Sequence, residues 1–218
     1  MEVFERFMRQ VDILNPDVCH EQITIIGAGA TGSFTALALA KMGFDNILIY
    51  DEDSVEEHNF PNQLFPISHL GNNKAQAVEE IVKEYTEVKI CSVPKYYEKQ
   101  KLKGIVVSAL DSMKGRKLIY DNALASGEVK LLIDPRCGAE VFKIYTIDMG
   151  LKSEQEVYEK TLHTDGEADP VPCTARAIIY SVLVVSAYVA KQIKLFQMNQ
   201  PYKREIIMDM VNDMMFTS

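Results

Sequence analysis

The chain has 218 residues, of which 47% are hydrophobic, enough to bury a sizeable core in one large domain or two small ones. Its 31 acidic residues outnumber its 23 basic ones, and the formal net charge of −8 argues against a broad nucleic-acid-binding surface. The charged N-terminus argues against a signal peptide, and the longest apolar run, residues 178–190, is too short to span a membrane. We therefore expect a cytoplasmic protein that binds neither nucleic acid nor membrane.

Predicted strands and helices alternate along most of the chain. In order they are strand 21–28, helix 33–43, strand 46–53, helix 73–85, strand 88–94, strand 104–111, helix 113–127 and strand 129–134. Next come an antiparallel strand (139–148), a short helix (153–162), an apolar helix (about 174–195) and a terminal strand (204–216). This succession predicts an α/β fold: a doubly wound, mostly parallel, Rossmann-like sheet with antiparallel C-terminal strands.

A glycine loop follows the first predicted strand. Gly27, Gly29 and Gly32 are spaced as GxGxxG between a buried strand and a helix, a pattern that brings backbone N–H groups and a helix N-terminus onto a phosphate. Asp51 ends the second strand, where an acid typically holds the ribose hydroxyls. These features predict a nucleotide with a free ribose, and they leave NAD and ATP both open.

Charged residues farther along the chain favour ATP. Asp51, Asp53 and Asp111 follow parallel strands whose carboxyl ends meet at one crevice, and Lys74 begins a nearby helix. A lysine at the phosphates and an aspartate that can hold Mg²⁺ suit phosphate-cleaving chemistry, because they neutralise a pyrophosphate leaving group. Both residues also have ordinary structural interpretations, as a solvated helix lysine and a strand-end turn residue.

Several segments, in order, resemble the ThiF/MoeB/HesA family, the bacterial relatives of ubiquitin-activating enzymes. They are RFMRQVDI, GAGATGS, IYDEDSVEEHNFPNQLF, GNNKAQA, ALDSMKGR and IIMDMVNDMMF. The resemblance implies one adenylation domain over 1–218, with an N-terminal helical arm (1–20), a nucleotide-binding parallel half (21–135) and a mixed-sheet half (136–218) that contains a crossover segment (148–173). It also implies that ATP and Mg²⁺ serve to adenylate the C-terminal carboxylate of a small ubiquitin-like protein or peptide.

The same resemblance implies roles for individual residues. Lys74 would contact the phosphates, Asp111 would bind Mg²⁺, and Arg9 would reach into the ATP site of a partner subunit, so that a homodimer is expected. The implied nucleotide-binding residues are Gly27, Gly29, Ala30, Thr31, Gly32, Asp51, Asp53, Asn59, Asn62, Gln63 and Lys74.

The sequence departs from the family pattern at one cation. Asn62 stands where the family has a phosphate-binding arginine, and the loss of one such donor can raise a barrier by roughly 3–4 kcal/mol unless Arg9, Arg116 or Arg136 compensates. The family's zinc-binding CxxC pairs are missing, so no zinc is expected.

Cys173 is the candidate thiol for a subsequent thioester transfer. It precedes the apolar helix in the crossover region, and a helix N-terminus with Arg176 nearby would lower the pKa of its thiol. A packed residue at a helix start is the alternative. Cys19, Cys91 and Cys137 are expected to be structural or incidental.

Two other functions stay open on the sequence alone. The glycine loop and Asp51 would also fit a nicotinamide- or flavin-dependent oxidoreductase. Asn62 would also fit a non-catalytic nucleotide-binding scaffold that recruits a ubiquitin-like partner.

Overall fold

A single mixed sheet organises the protein, and the computed structural model describes residues 2–163 and 177–218 of it. The described strands are β1 (Ile23–Ile26), β2 (Ile47–Tyr50), β3 (Cys91–Val93), β4 (Gly104–Ser108), β5 (Val129–Gly138), β6 (Val141–Asp148), β7 (Glu205–Asp209) and β8 (Met214–Thr217). Their order across the sheet is β3-β2-β1-β4-β5-β6-β7-β8. Pairing is parallel from β3 to β5 and antiparallel from β5 to β8, so the predicted fold class is confirmed.

Helices cover the sheet. They are α1 (Glu2–Phe7), α2 (Ala30–Met42), α3 (Lys74–Thr86), α4 (Met113–Ser126), α5 (Lys152–Glu159) and α6 (Ile179–Gln197). Strands β1 and β4 are buried at every position, which is why they read as short continuous apolar runs. Helix α2 begins after Gly29 and ends at Gly43, whose φ of 101° lies in the left-handed region that favours glycine as a helix stop.

The C-terminus differs from the prediction of one strand over 204–216. Residues in that range form two antiparallel strands, β7 and β8, joined by a tight turn. Asp213, in the turn, has a left-handed φ of 52°, and the Asp209 carboxylate accepts backbone N–H bonds from Val211 and Asn212. Aspartate is common in turns both because it tolerates a left-handed φ and because its carboxylate accepts nearby backbone N–H bonds. The surrounding methionines make the segment read as one apolar strand, so the sequence pattern did not reveal the turn.

Helix α6 is the one helix in the described part of the chain that is long and apolar enough, by length and composition, to cross a membrane. Its inner face, which includes Val182, Val185, Val189 and Ile193, is fully buried in the core beside α2 and the sheet. Helix α6 therefore packs as the buried helix that its sequence predicts.

The predicted N-terminal arm is fastened to the sheet. Leu14 and Cys19 are buried in the main core, and the side-chain amide of Gln10 donates to the backbone oxygen of Met42 at 2.7 Å. Burial raises the pKa of Cys19 to about 11, with a further contribution from Asp45. This thiol is a core residue.

Candidate functional site

A cleft of about 360 Å³ opens at the carboxyl ends of β1, β2, β4 and β5. Ten predicted site residues line it: Gly27, Gly29, Ala30, Thr31, Asp51, Asp53, Asn62, Gln63, Lys74 and Asp111. Six further residues complete the lining: Ala109, Leu110, Arg116, Pro135, Cys137 and Ala177. The fold thus brings segments that are far apart in sequence into one crevice, as expected for a doubly wound sheet.

The three glycines of the loop serve different purposes. A Cβ on Gly32 would meet the backbone oxygen of Gly27 at 1.9 Å, and a Cβ on Gly27 would meet the backbone oxygen of Ala109 at 2.4 Å. A Cβ on Gly29 would have no neighbour within 4 Å in the described part of the chain. The fold therefore requires Gly27 and Gly32, whereas the space over Gly29, at the N-terminus of α2, is open for a ligand.

Asp51 joins the glycine loop to the loop after β2. One carboxylate oxygen accepts the backbone N–H of Ala28 at 2.6 Å, and the other accepts that of Asp53 at 2.9 Å. Burial raises the pKa of Asp51, although these two bonds and the charge of Lys74 act in the opposite direction. The carboxylate is thus held rigidly at the cleft wall.

Lys74 is the first residue of α3. Its Nζ lies 2.9 Å from Oδ2 of Asp53, and its side chain is only 11% exposed, whereas that of Asp53 is 62% exposed. A cation at a helix N-terminus opposes the helix dipole, so this lysine is not placed there for helix stability. Its position suits an anion that arrives in the cleft.

Asn73 is a positioning residue that was not predicted from the sequence. Its side-chain amide donates to the backbone oxygens of Asp51 (2.9 Å) and Asp53 (3.1 Å), while its Oδ1 caps α3 by accepting the N–H of Gln76. An asparagine directly before an amphipathic helix is a helix-start signal that could have identified the cap. Its hydrogen bonds to the backbone of the loop after β2 could not be predicted from the sequence, because they join residues that are 20 to 22 positions apart.

Asp111 lies just beyond β4 with an exposed side chain. Within residues 2–163 and 177–218, no three His, Cys, Asp or Glu side chains cluster as a metal site. Mg²⁺ commonly binds through one or two carboxylates together with substrate phosphates and waters. An exposed carboxylate beside a phosphate-binding loop fits that mode of binding.

Arg116 lies in the first turn of α4. From the sequence it was predicted only as one of three arginines that could replace the cation missing at Asn62. Its side chain is 3% exposed, and its Nε donates to Oδ1 of the fully buried Asp134 at 2.8 Å. The other Asp134 oxygen accepts a 2.8 Å bond from Nε of Arg136 and a 2.9 Å bond from the hydroxyl of Tyr158. Burial alone would raise the pKa of Asp134, but the two guanidiniums outweigh it and hold that pKa below its usual range.

Two polar atoms at the cleft are buried without a hydrogen-bond partner among the described residues. They are Nη1 of Arg116, a donor, and Oε1 of Gln63, an acceptor. Because such atoms are costly to leave unpaired inside a protein, they identify places where a ligand can supply the missing partner.

Asn62 lines the cleft, but its side-chain amide is engaged. It donates to the backbone oxygen of Ala177 at 2.9 Å and so connects the loop after β2 to the chain just before α6.

The Cys137 thiol also lines the cleft, and burial raises its pKa to about 11, so it is protonated at neutral pH.

Four predicted site residues are not part of this cleft lining. Gly32 packs against Gly27, and Asn59 is buried, with its side chain accepting the backbone N–H of Glu56 at 2.9 Å. Asn59 thus caps the short helical turn at Glu57–Asn59, and its contact with a nucleotide stays a prediction. Arg9 is exposed and lies outside the cleft of its own chain, and Cys173 lies outside the described residues.

The sequence model of the ThiF family matches residues 16–211. Among curated proteins, the chain is 32% identical over 107 residues to the Nedd8-activating enzyme E1 catalytic subunit of Drosophila melanogaster, covering 45% of this chain and 23% of that protein. It is 28% identical over 140 residues to the adenylyltransferase and sulfurtransferase MOCS3 of Dictyostelium discoideum, covering 57% and 32%. The chain thus spans about a quarter to a third of the length of these relatives.

A solved structure of E. coli MccB with AMPCPP and MccA has the same fold. The TM-score is 0.77 at 15% sequence identity, and the match covers 98% of this chain and 70% of that one.

Proposed function

The chain belongs to the ThiF family, and from that premise we propose that it is an ATP-dependent adenylyltransferase. Its substrate would be the C-terminal carboxylate of a small ubiquitin-like protein or peptide. The observation that carries the proposal is the convergence of the open glycine loop, Asp51, Lys74 and Asp111 on one cleft. Relatives named as an adenylyltransferase and an activating enzyme, and the AMPCPP and MccA present with MccB, support it.

The proposed roles follow from position. Backbone N–H groups at Gly29, Ala30 and Thr31 bind phosphate at the N-terminus of α2. Asp51, already rigid, accepts hydrogen bonds from the ribose hydroxyls. Lys74 exchanges its exposed partner Asp53 for phosphate oxygens, which keeps a charge-assisted bond throughout.

Asp111 would hold Mg²⁺, which when bound offsets negative charge on the phosphates. The substrate carboxylate attacks the α-phosphorus, the α–β bridging P–O bond breaks, and pyrophosphate leaves with that electron pair. Lys74 and the loop N–H groups stabilise the charge that develops on the phosphoryl oxygens. The reaction gives an acyl-adenylate.

Substrate-dependent exchange of labelled pyrophosphate into ATP tests the proposal. The panel is a ubiquitin-like protein ending in Gly-Gly and short peptides with a free C-terminal carboxylate, each paired with its amidated form. Exchange is expected only with a free carboxylate, because the amide offers no nucleophilic oxygen anion. Lys74→Ala and Asp111→Asn should each reduce it by about 10²-fold or more.

Matched surface variants control for non-specific damage. Lys114→Ala removes an exposed lysine from the first turn of α4, and Asp121→Asn removes an exposed carboxylate that pairs with Lys117. Both should retain full exchange. Exchange that survives Lys74→Ala and Asp111→Asn would overturn the assigned roles, and tight NAD binding without ATP binding would favour an oxidoreductase instead.

The proposal includes a cytoplasmic homodimer in which Arg9 acts in the partner's cleft. Support comes from its exposed position away from its own cleft. Mixing Arg9→Ala with Lys74→Ala subunits should restore activity to about a quarter of wild type, because half of the random dimers carry one intact site. An inactive mixture that contains heterodimers would contradict action in trans.

Thioester transfer to Cys173 stays a prediction. If an acyl adduct sensitive to reductant forms, it should disappear in Cys173→Ala, while Cys91→Ala, at an exposed strand position, should retain it. An adduct that persists in Cys173→Ala would exclude that thiol.

A non-catalytic scaffold is the second candidate. It is favoured by Asn62, whose amide is committed to the oxygen of Ala177 in a family where an arginine is expected. ATP binding without exchange for any carboxylate substrate would support the scaffold over the enzyme.

A further inference from the structure

The guanidinium of Arg116 is only partly satisfied by the protein. Its Nε bonds to Asp134 at 2.8 Å and its Nη2 donates to the backbone oxygen of Pro135 at 3.4 Å. Its Nη1 is buried and has no partner among the described residues. An arginine that served only to hold β5 would not need to leave a buried donor unpaired at a cleft.

The charge around Arg116 is also incompletely balanced. Asp134 is shared with Arg136, whose remaining donors bond to the backbone oxygen (3.1 Å) and hydroxyl (2.9 Å) of Thr161. Among the described residues, two guanidiniums against one carboxylate leave one net positive charge in this buried group. Buried charges are normally paired, and this excess is therefore suited to an anion.

The described lining of the cleft has few positive charges besides that of Arg116. Among the described lining residues, the carboxylates are Asp51, Asp53 and Asp111, and the cations are Lys74 and Arg116. Acids thus outnumber cations in a crevice proposed to hold a polyanion, and Asn62 contributes no charge. Arg116 is the one of the two lining cations whose position is fixed by a fully buried partner.

We propose that Nη1 of Arg116 binds a phosphate oxygen of the nucleotide and so provides the cation that the chain lacks at Asn62. This inference rests on the proposed ATP-dependent function. Asp134 is then a positioning residue, because its shared carboxylate fixes the guanidinium at the cleft wall. The group takes part only in binding the nucleotide phosphates, with no bond made or broken at Arg116.

Calorimetric titration of ATP, AMP and adenosine into wild type and Arg116→Lys tests the assignment. Lysine keeps the positive charge beside Asp134 but has no second arm equivalent to Nη1. ATP affinity should fall by about ten- to hundredfold, the effect of losing one charge-assisted hydrogen bond, and adenosine affinity should stay unchanged. The AMP titration shows whether the α-phosphate is the one contacted.

Arg136→Lys is the matched control. Arg136 pairs with the other oxygen of the same carboxylate but does not line the cleft, so the same substitution should leave ATP affinity unchanged. Melting temperatures of both variants confirm that each is folded. ATP affinity that is unchanged in Arg116→Lys, or reduced equally in Arg136→Lys, would overturn this inference alone, whereas wild type that binds no ATP would overturn the proposed function and this inference with it.

Discussion

The two walls of the cleft each carry a cation paired with a carboxylate, but they are built differently. On the loop wall (Asp51, Asp53, Lys74), the Lys74–Asp53 pair is open to water on its acidic side, where Asp53 is 62% exposed. On the core wall, where Arg116 lines the cleft and Asp134 and Arg136 lie buried behind it, the Arg116–Asp134 pair is 3% and 0% exposed. The loop wall can therefore exchange partners with a ligand, whereas the core wall is fixed by the fold.

The largest expected loss of stability comes from removing the Asp134 carboxylate of the core wall. Asp134→Asn keeps the side-chain shape but deprives two buried guanidiniums of the carboxylate that they share. The free energy of unfolding, measured with urea, should fall by about 3–5 kcal/mol. A loss below about 1 kcal/mol would mean that Asp134 and its two arginines contribute no more to stability than an exposed ion pair does.

The two walls should also respond to pH with opposite signs. The pKa of Asp134 is lowered in the folded state, so its contribution to stability is present above the unfolded pKa and is lost as pH falls through the folded one. The pKa of Asp51 is raised by burial, so its contribution is present below the unfolded pKa and is lost as pH rises through the folded one.

The free energy of unfolding should therefore drop on acidification below about pH 4, and this drop should be smaller in Asp134→Asn. Urea titrations at a series of pH values measure it. If the free energy of unfolding falls as steeply with acidification in the variant as in wild type, carboxylates other than Asp134 are responsible for the loss.

The next effect separates a glycine required by the fold from one left open for a ligand. Gly32→Ala forces a Cβ to within 1.9 Å of the Gly27 oxygen and should destabilise the protein by about 1–3 kcal/mol or more. Gly29→Ala meets no atom of residues 2–163 and 177–218 within 4 Å, so it should leave stability almost unchanged while it weakens ATP binding. Melting temperatures and ATP titrations of both variants measure the difference, and equal destabilisation by the two would refute it.

The loop wall was largely predictable from the sequence, and the core wall was not. Asp51, Asp53 and Lys74 lie at strand ends or a helix start, where local pattern and parallel topology together predict convergence on one crevice. Arg116, Asp134 and Arg136 meet through the pairing of α4 with β5, and their importance depends on burial, which a charged residue type does not reveal. The capping role of Asn59 was missed for a related reason, because motif position alone does not distinguish a capping residue from one that lines a pocket.

The C-terminal half shows the same limit. A run of methionines and aliphatic residues, interrupted only by Asp209, Asn212 and Asp213, predicted one strand, whereas the structure has a hairpin whose turn is stabilised by hydrogen bonds to the Asp209 carboxylate. The parallel half was predicted more accurately because β1 and β4 are short and buried at every position, and because helices such as α4 have clear ends.

The smallest expected effect comes from the loop wall. Asp53→Asn removes the carboxylate that pairs with Lys74, but the backbone oxygen of Asp53 still accepts the N–H of Lys74 at 2.8 Å and the amide of Asn73 at 3.1 Å. The loop should therefore keep its shape, and the free energy of unfolding in urea should change by less than about 1 kcal/mol, since the deleted carboxylate is largely exposed and Lys74 keeps the electrostatic attraction of Asp51. A loss as large as that of Asp134→Asn would mean that Lys74 is held as rigidly as Arg116, and it could not then exchange Asp53 for a phosphate.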